Sequence, residues 1–221
     1  MRKHLWSGFR ATLPLALGIA PFGIAYGAAA GQVMAPWQAS LMSITVFAGT
    51  AQFVSASMLS QGAAWLPVLV TGTAINLRLV LLSAAMVPHV SRSRRSLYPL
   101  LAHLLTDESF AVSMVEFERA PAKPWFLVGS GLAVFAAWQS TTIAGIAFGA
   151  AIPPGLGLEF AMAASLICLL FLLVRGRRGA LVAVAAATLS VALRLLGVGA
   201  WSAMLATVGA ATLGVLCRRT R

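Results

Sequence analysis

Thr71-Gly-Thr-Ala-Ile-Asn-Leu-Arg78 is the stretch on which the reading of this chain turns. From Leu13 to Pro88 the chain has the length of about three membrane spans, at about 20 residues each. Arg78 is the only charged residue in it. A cation near the middle of an apolar segment costs on the order of 3 kcal/mol or more in hydrocarbon. Such a residue faces a bundle interior, a water-filled cavity or an anionic partner. The chain therefore reads as an integral membrane protein, and Arg78 is its first functional candidate.

Composition agrees. Of 221 residues, 60% are apolar and only 10% charged, and the mean hydropathy is +0.90. A soluble chain of this size needs far more polar surface around one core. Its 20 glycines suit close helix packing in lipid. The net charge of +11 is not a nucleic-acid footprint, because the basic residues sit in short clusters between apolar runs. The clusters are Arg2, Lys3 and Arg10; Arg92, Arg94 and Arg95; Arg119 and Lys123; Arg175, Arg177 and Arg178; and Arg218, Arg219 and Arg221. That is the pattern of cytoplasmic anchors beside membrane spans. Cys168 and Cys217 lie in apolar runs without metal-ligand neighbours and read as small buried side chains. The first apolar run continues past signal-peptide length and joins the bundle.

Seven apolar segments stand out, at about 11–30, 38–60, 64–88, 125–150, 157–174, 180–196 and 199–217. The stretch 97–118 differs. It has helical apolar spacing but carries His103, Asp107, Glu108, Glu116 and Glu118, four of the chain's five acids. The expected architecture is an all-α polytopic bundle forming one transmembrane domain over residues 1–221. Seven spans are expected, with 97–118 a helix packed into the bundle; eight follow if that helix also crosses. The C-terminal clusters all fall on the cytoplasmic side, with the C-terminus. The N-terminal half ties: seven spans put the N-terminus outside, eight put Arg92–Arg95 outside, and each misplaces three basic residues. The working expectation is seven.

A faint repeat joins Gly23-Ile-Ala-Tyr-Gly-Ala-Ala29 to Gly145-Ile-Ala-Phe-Gly-Ala-Ala151, and Arg78 to Arg194. It suggests related halves at 8–118 and 125–217, with a site near their interface. Pro21 lies inside the first segment. A proline there frees a backbone carbonyl that a polar ligand could use, or simply kinks a packed helix.

Four ordered motifs carry a family resemblance. Gly8-Phe-Arg-Ala-Thr-Leu-Pro-Leu-Ala-Leu-Gly-Ile-Ala-Pro-Phe-Gly-Ile-Ala-Tyr-Gly27 resembles the opening of the AzlC family. Val46-Phe-Ala-Gly-Thr-Ala-Gln-Phe53, Ile75-Asn-Leu-Arg78 and Leu105-Thr-Asp-Glu-Ser-Phe-Ala111 resemble its later signatures. Leu79 departs from it, standing where many members carry a polar residue or His. The resemblance implies the large subunit of a two-component exporter of branched-chain amino acids and methionine in the bacterial inner membrane. It also implies a small AzlD-like membrane partner. No Gly-x-x-x-x-Gly-Lys-Ser/Thr loop is present, so the chain cannot itself use ATP. A separate ATPase and a proton gradient are the two energy sources left open. No cofactor is expected.

The residues can support amino-acid transport. Arg78 suits a carboxylate in a bidentate pair. Asp107 or Glu108 suits an ammonium or a coupling proton. Asn76, Thr50 and Gln52 offer neutral hydrogen bonds. His103 and Asp107 are four apart, so on one helix they would share a face and could pass a proton. The plainer alternative is a permanent bridge from Arg78 to Asp107 or Glu108 that only ties helices together. No nucleophile triad, His-Glu-x-x-His or cysteine cluster is present, so no enzyme is expected. An intramembrane enzyme with His103, Asp107 and Glu108 on a metal would need a ligand from elsewhere.

Overall fold

The computed structural model describes residues 2–91, 93–119, 121, 123–149, 174 and 176–197, together with 205, 206, 209, 210 and 212. The expected segment 157–174, except residue 174, and most of 199–217, with Cys168 and Cys217, lie outside the described residues. The chain divides into two compact units, Met1–Leu169 and Leu170–Arg221. Among the described residues the structure is helical, without strands.

In the first unit the helices are α1 (Arg2–Gly18), α2 (Ala20–Ala30), α3 (Pro36–Val46), α4 (Gly49–Ser60), α5 (Trp65–Val90), α6 (Tyr98–His103), α7 (Asp107–Arg119) and α8 (Pro124–Phe148). The second unit contains α9 (Gly176–Leu195). Two of these helices, α5 and α8, are long and apolar enough to cross a membrane. A third crossing follows if α1 and α2, bent by 57° at their junction, act as one span.

Three expected segments are broken, which corrects the sequence reading. The first is interrupted at Ile19, and Pro21 begins α2 rather than kinking a helix interior. A missing N–H costs nothing in a first turn. The segment 38–60 is two helices of 11 and 12 residues rather than one span. Phe47 ends α3 in the left-handed region (φ 42°) and Ala48 is extended. The segment 97–118 is likewise two helices, parted at Leu104–Thr106. There Ser109 Oγ accepts the Thr106 N–H (2.8 Å) and Thr106 Oγ1 accepts the Ser109 N–H (3.2 Å), a reciprocal cap that starts α7.

Helix α8 is the spine of this unit. It runs alongside α1 and α2 in the same direction, because ascending residues meet ascending residues. Gly8 faces the Phe126 carbonyl, Gly23 faces Thr141, and Gly27 faces the Thr142 carbonyl. A Cβ at any of these positions would collide with its neighbour, so only glycine permits the approach. Hydroxyls reinforce the seam: Thr12 and Ser130, both fully buried, lie 2.7 Å apart. The two copies of the Gly-Ile-Ala-Tyr/Phe-Gly repeat therefore pack on each other, with Gly145 against the Ile24 carbonyl. Close packing of small residues accounts for their likeness.

Candidate functional site

Arg78 lies near the middle of α5, twelve residues from Val90 and thirteen from Trp65. Its Nη2 stands 3.0 Å from Asp107 Oδ2 in the first turn of α7. The same nitrogen donates to Thr50 Oγ1 at 3.3 Å, in the first turn of α4. Three elements thus meet at one guanidinium. Both partner residues belong to helices that begin at a break, and the breaks are what bring them there.

These groups line a cavity of about 70 Å³. A buried water needs roughly 10–15 Å³ by this measure, so the space holds a few waters. Its polar wall is Arg78, Thr50, Thr106, Asp107 and Glu108. Its apolar wall includes Phe22, Phe53, Val134 and Trp138. Ile19, Phe47 and Ala48 also border it, so all three helix breaks converge on this pocket. Irregular backbone at membrane depth persists only where protein buries it or where it lines a cavity, and here it does the second.

The expected site residues separate into two groups. Arg78, Asp107, Glu108 and Thr50 come together. Gln52 stands one step behind them: fully buried, it accepts the Trp138 indole N–H at 3.1 Å. Asn76 is not in the pocket wall, and its buried Oδ1 has no hydrogen-bond partner among the described residues. Pro21 sits between the lining residues Ile19 and Phe22 but is not itself part of the wall. The break after His103 removes the helical spacing that would have linked it to Asp107. The His103 ring packs near Phe47 (5.8 Å between centroids) and Phe135 (6.0 Å).

Trp138, Phe47 and Phe53 escaped sequence reasoning. Trp138 stacks on Tyr26 (5.9 Å), and Tyr26 meets Phe53 edge-on (5.8 Å). The one available signal for Trp138 was a large indole at the centre of a long apolar helix, which needs a buried acceptor for its N–H. Leu79, the departure noted in the sequence, lines the pocket and makes that part of the wall apolar.

The AzlC protein family profile matches residues 14–152, more than half of the chain and all of the residues just described from Ile19 onward. The chain belongs to the AzlC protein family. Two relatives from Helicobacter pylori strains, each named an uncharacterized membrane protein, are 31% identical over 111 residues. That stretch covers 50% of this chain and 48% of each relative. The inner membrane protein YgaZ of Escherichia coli K12 is 28% identical over 154 residues, covering 67% of this chain and 62% of that protein. The chain thus matches about half the length of the Helicobacter relatives. No solved structure matches. This AzlC-family chain is a membrane protein of a transport-associated family.

Proposed function

We propose that this chain is the large subunit of an exporter of hydrophobic amino acids, with leucine, isoleucine, valine and methionine as substrates. The observation that carries this reading is the Arg78–Asp107 pair at 3.0 Å inside a pocket with aromatic and aliphatic walls. A zwitterion presents the complement of that pair. Its carboxylate displaces Asp107 from the guanidinium, and its ammonium then takes Asp107 or Glu108. Its side chain enters the wall of Phe22, Phe53 and Trp138. Exchange of the internal pair for two external ones makes room for it between Arg78 and Asp107. Each charge-assisted hydrogen bond contributes about 1.5–3 kcal/mol, so replacing one pair by two favours the bound zwitterion by about one such bond, against which its desolvation and lost freedom count.

The coupling ion is a proton, carried by Asp107 or Glu108 when substrate leaves; His103 is the further carrier to test. A small AzlD-like subunit completes the complex. The protein resides in the bacterial inner membrane with its C-terminus in the cytoplasm, where the clusters at 175–178 and 218–221 hold it.

The test is efflux of labelled leucine from proteoliposomes holding the chain and its partner, under an imposed pH gradient. Gradient-dependent efflux is expected. Efflux that ignores the gradient and needs ATP with a separate ATPase overturns the coupling. Chemical turnover of the substrate without movement overturns the transport reading.

A further inference from the structure

We infer that α3–α4 and α6–α7 are two half-membrane hairpins that enter from opposite faces and meet at the Arg78 pocket. Heights can be read along α8, which starts at Pro124 and ends at Phe148. Helix α3 begins high: the Tyr26 hydroxyl donates to the Ala39 carbonyl (3.4 Å), and Ser43 pairs with Thr142 (3.4 Å). Its end, Phe47, is lower, with its ring 5.1 Å from Phe135. Helix α4 then turns back. Gln52 is level with Trp138, and Phe53 meets Tyr26, which also holds Ala39. The chain has gone down to mid-height and returned to the face it left.

Helix α5 confirms the return. It descends from that same upper face: Gly72 is nearest Ser55, Arg78 reaches Thr50, and His89 stacks on Phe117 beside Phe126, at the low end of α8. From there the second hairpin repeats the first upside down. Leu101 and Leu105 share a groove with Met86 and Leu127. Leu104 lies against Gly131, and Thr106 and Asp107 reach the pocket with Val134 and Trp138. Helix α7 then goes back down, since Phe117 meets Phe126.

The two units of chain have matching parts. The second half-helices start at Gly49 and Asp107, 58 positions apart, and the long helices at Trp65 and Pro124, 59 apart. Arg78 and Trp138, both in the pocket wall, are 60 apart. Residues 36–90 and 95–148 are therefore an inverted repeat, with the site where their tips meet. This differs from the expected halves.

Charge and aromatic residues agree with that placement. Trp37 and Trp65 open α3 and α5 on the upper face and are 66% and 70% exposed, as an interfacial belt requires. Because α1 runs parallel to α8, the N-terminus shares the lower face with Arg94, Arg95 and Lys123. Three crossings up to Phe148 then put every basic cluster of that region on one side. The tie between seven and eight spans disappears, because 38–60 does not cross. The N-terminus is cytoplasmic. The placement holds whatever the pocket carries.

Single cysteines in a Cys168→Ser/Cys217→Ser background test it, with a membrane-impermeant thiol reagent applied to intact cells and then to opened ones. Gln32→Cys and Gln61→Cys, in exposed loops flanking α3–α4, should both react in intact cells. Ser96→Cys and Pro121→Cys, flanking α6–α7, should react only after opening. Labelling of the Gln32 and Gln61 positions from opposite faces means that 38–60 crosses and overturns the inference, as does a split between the Ser96 and Pro121 positions. Short epitope inserts at the same four loops report the same faces if a cysteine variant fails to reach the membrane. Loss of leucine efflux with this labelling pattern intact would count against the exporter reading alone.

Discussion

At the residue scale, the account stands on Arg78 and Asp107. If the pair handles substrate, Arg78→Leu and Asp107→Asn each lower export by about 10- to 100-fold, the equivalent of one charge-assisted hydrogen bond of about 1.5–3 kcal/mol. Protein in the membrane should stay near the wild-type amount, as an immunoblot of the membrane fraction would show. A static bridge gives the opposite pattern: each single change lowers protein level, and Arg78→Asp with Asp107→Arg restores both level and export. Trp138→Phe is a different kind of change. It strips the indole N–H from the side-chain oxygen of a fully buried Gln52. A loss of about 1–3 kcal/mol is expected, read as a lower unfolding temperature in detergent. Arg78 and Asp107 were legible in the sequence because charge in an apolar run is a strong signal and acids inside a helical segment are few. Trp138 was not, since its partner Gln52 is 86 positions away and apolar patterning does not mark it.

At the element scale, glycine placement and helix breaks control the structure. Gly27→Val drives a side chain into the Thr142 carbonyl on α8, so little folded protein should be recovered from membranes. Gly18→Ala meets nothing within 4 Å and should be recovered normally; equal recovery of the two variants would contradict the close seam between α2 and α8. His103→Phe separates the two uses of that ring. Packed near Phe47 and Phe135, it should tolerate phenylalanine, with export and its dependence on the pH gradient retained. Loss of the gradient dependence alone would make His103 the proton carrier. The long helices α5 and α8 were legible, because each is an unbroken apolar run beginning at Trp65 or Pro124. The breaks at Phe47–Ala48 and Leu104–Thr106 were not. Neither contains proline; hydropathy continues through the first, and at the second it falls at Thr106-Asp107-Glu108, acids that the sequence reading placed inside one helix. What ends α3 is a left-handed phenylalanine, a conformation that composition does not announce.

At the scale of the whole molecule, charge counting in the first half tied, and the inferred hairpins give one reason for the tie. The count assumed that an apolar stretch of 23 residues, 38–60, must cross. With both arms of α3–α4 held by Tyr26, the inferred hairpin placement puts Arg10, Arg94 and Lys123 on one face. The family was legible from four short motifs, and all four supply residues to the pocket: Ile19 and Phe22, Gly49 and Thr50, Arg78, and Thr106 to Glu108. A partner subunit leads to its own expectation: co-expression with a small AzlD-like protein should yield a complex that survives purification. Full efflux from vesicles containing this chain alone would show that no partner is needed.

The central claim is that a hydrophobic amino acid occupies the space between Arg78, Asp107 and the wall of Phe22, Phe53 and Trp138. Phe53→Cys, in the background free of Cys168 and Cys217, puts a thiol in that wall without touching the ion pair. The direct measurement is its alkylation rate in membranes containing a variant that still exports leucine. Leucine, isoleucine, valine and methionine should each slow the reaction severalfold in a saturable way, and aspartate should not. An alkylation rate unchanged by all four would place the substrate elsewhere and contradict the account.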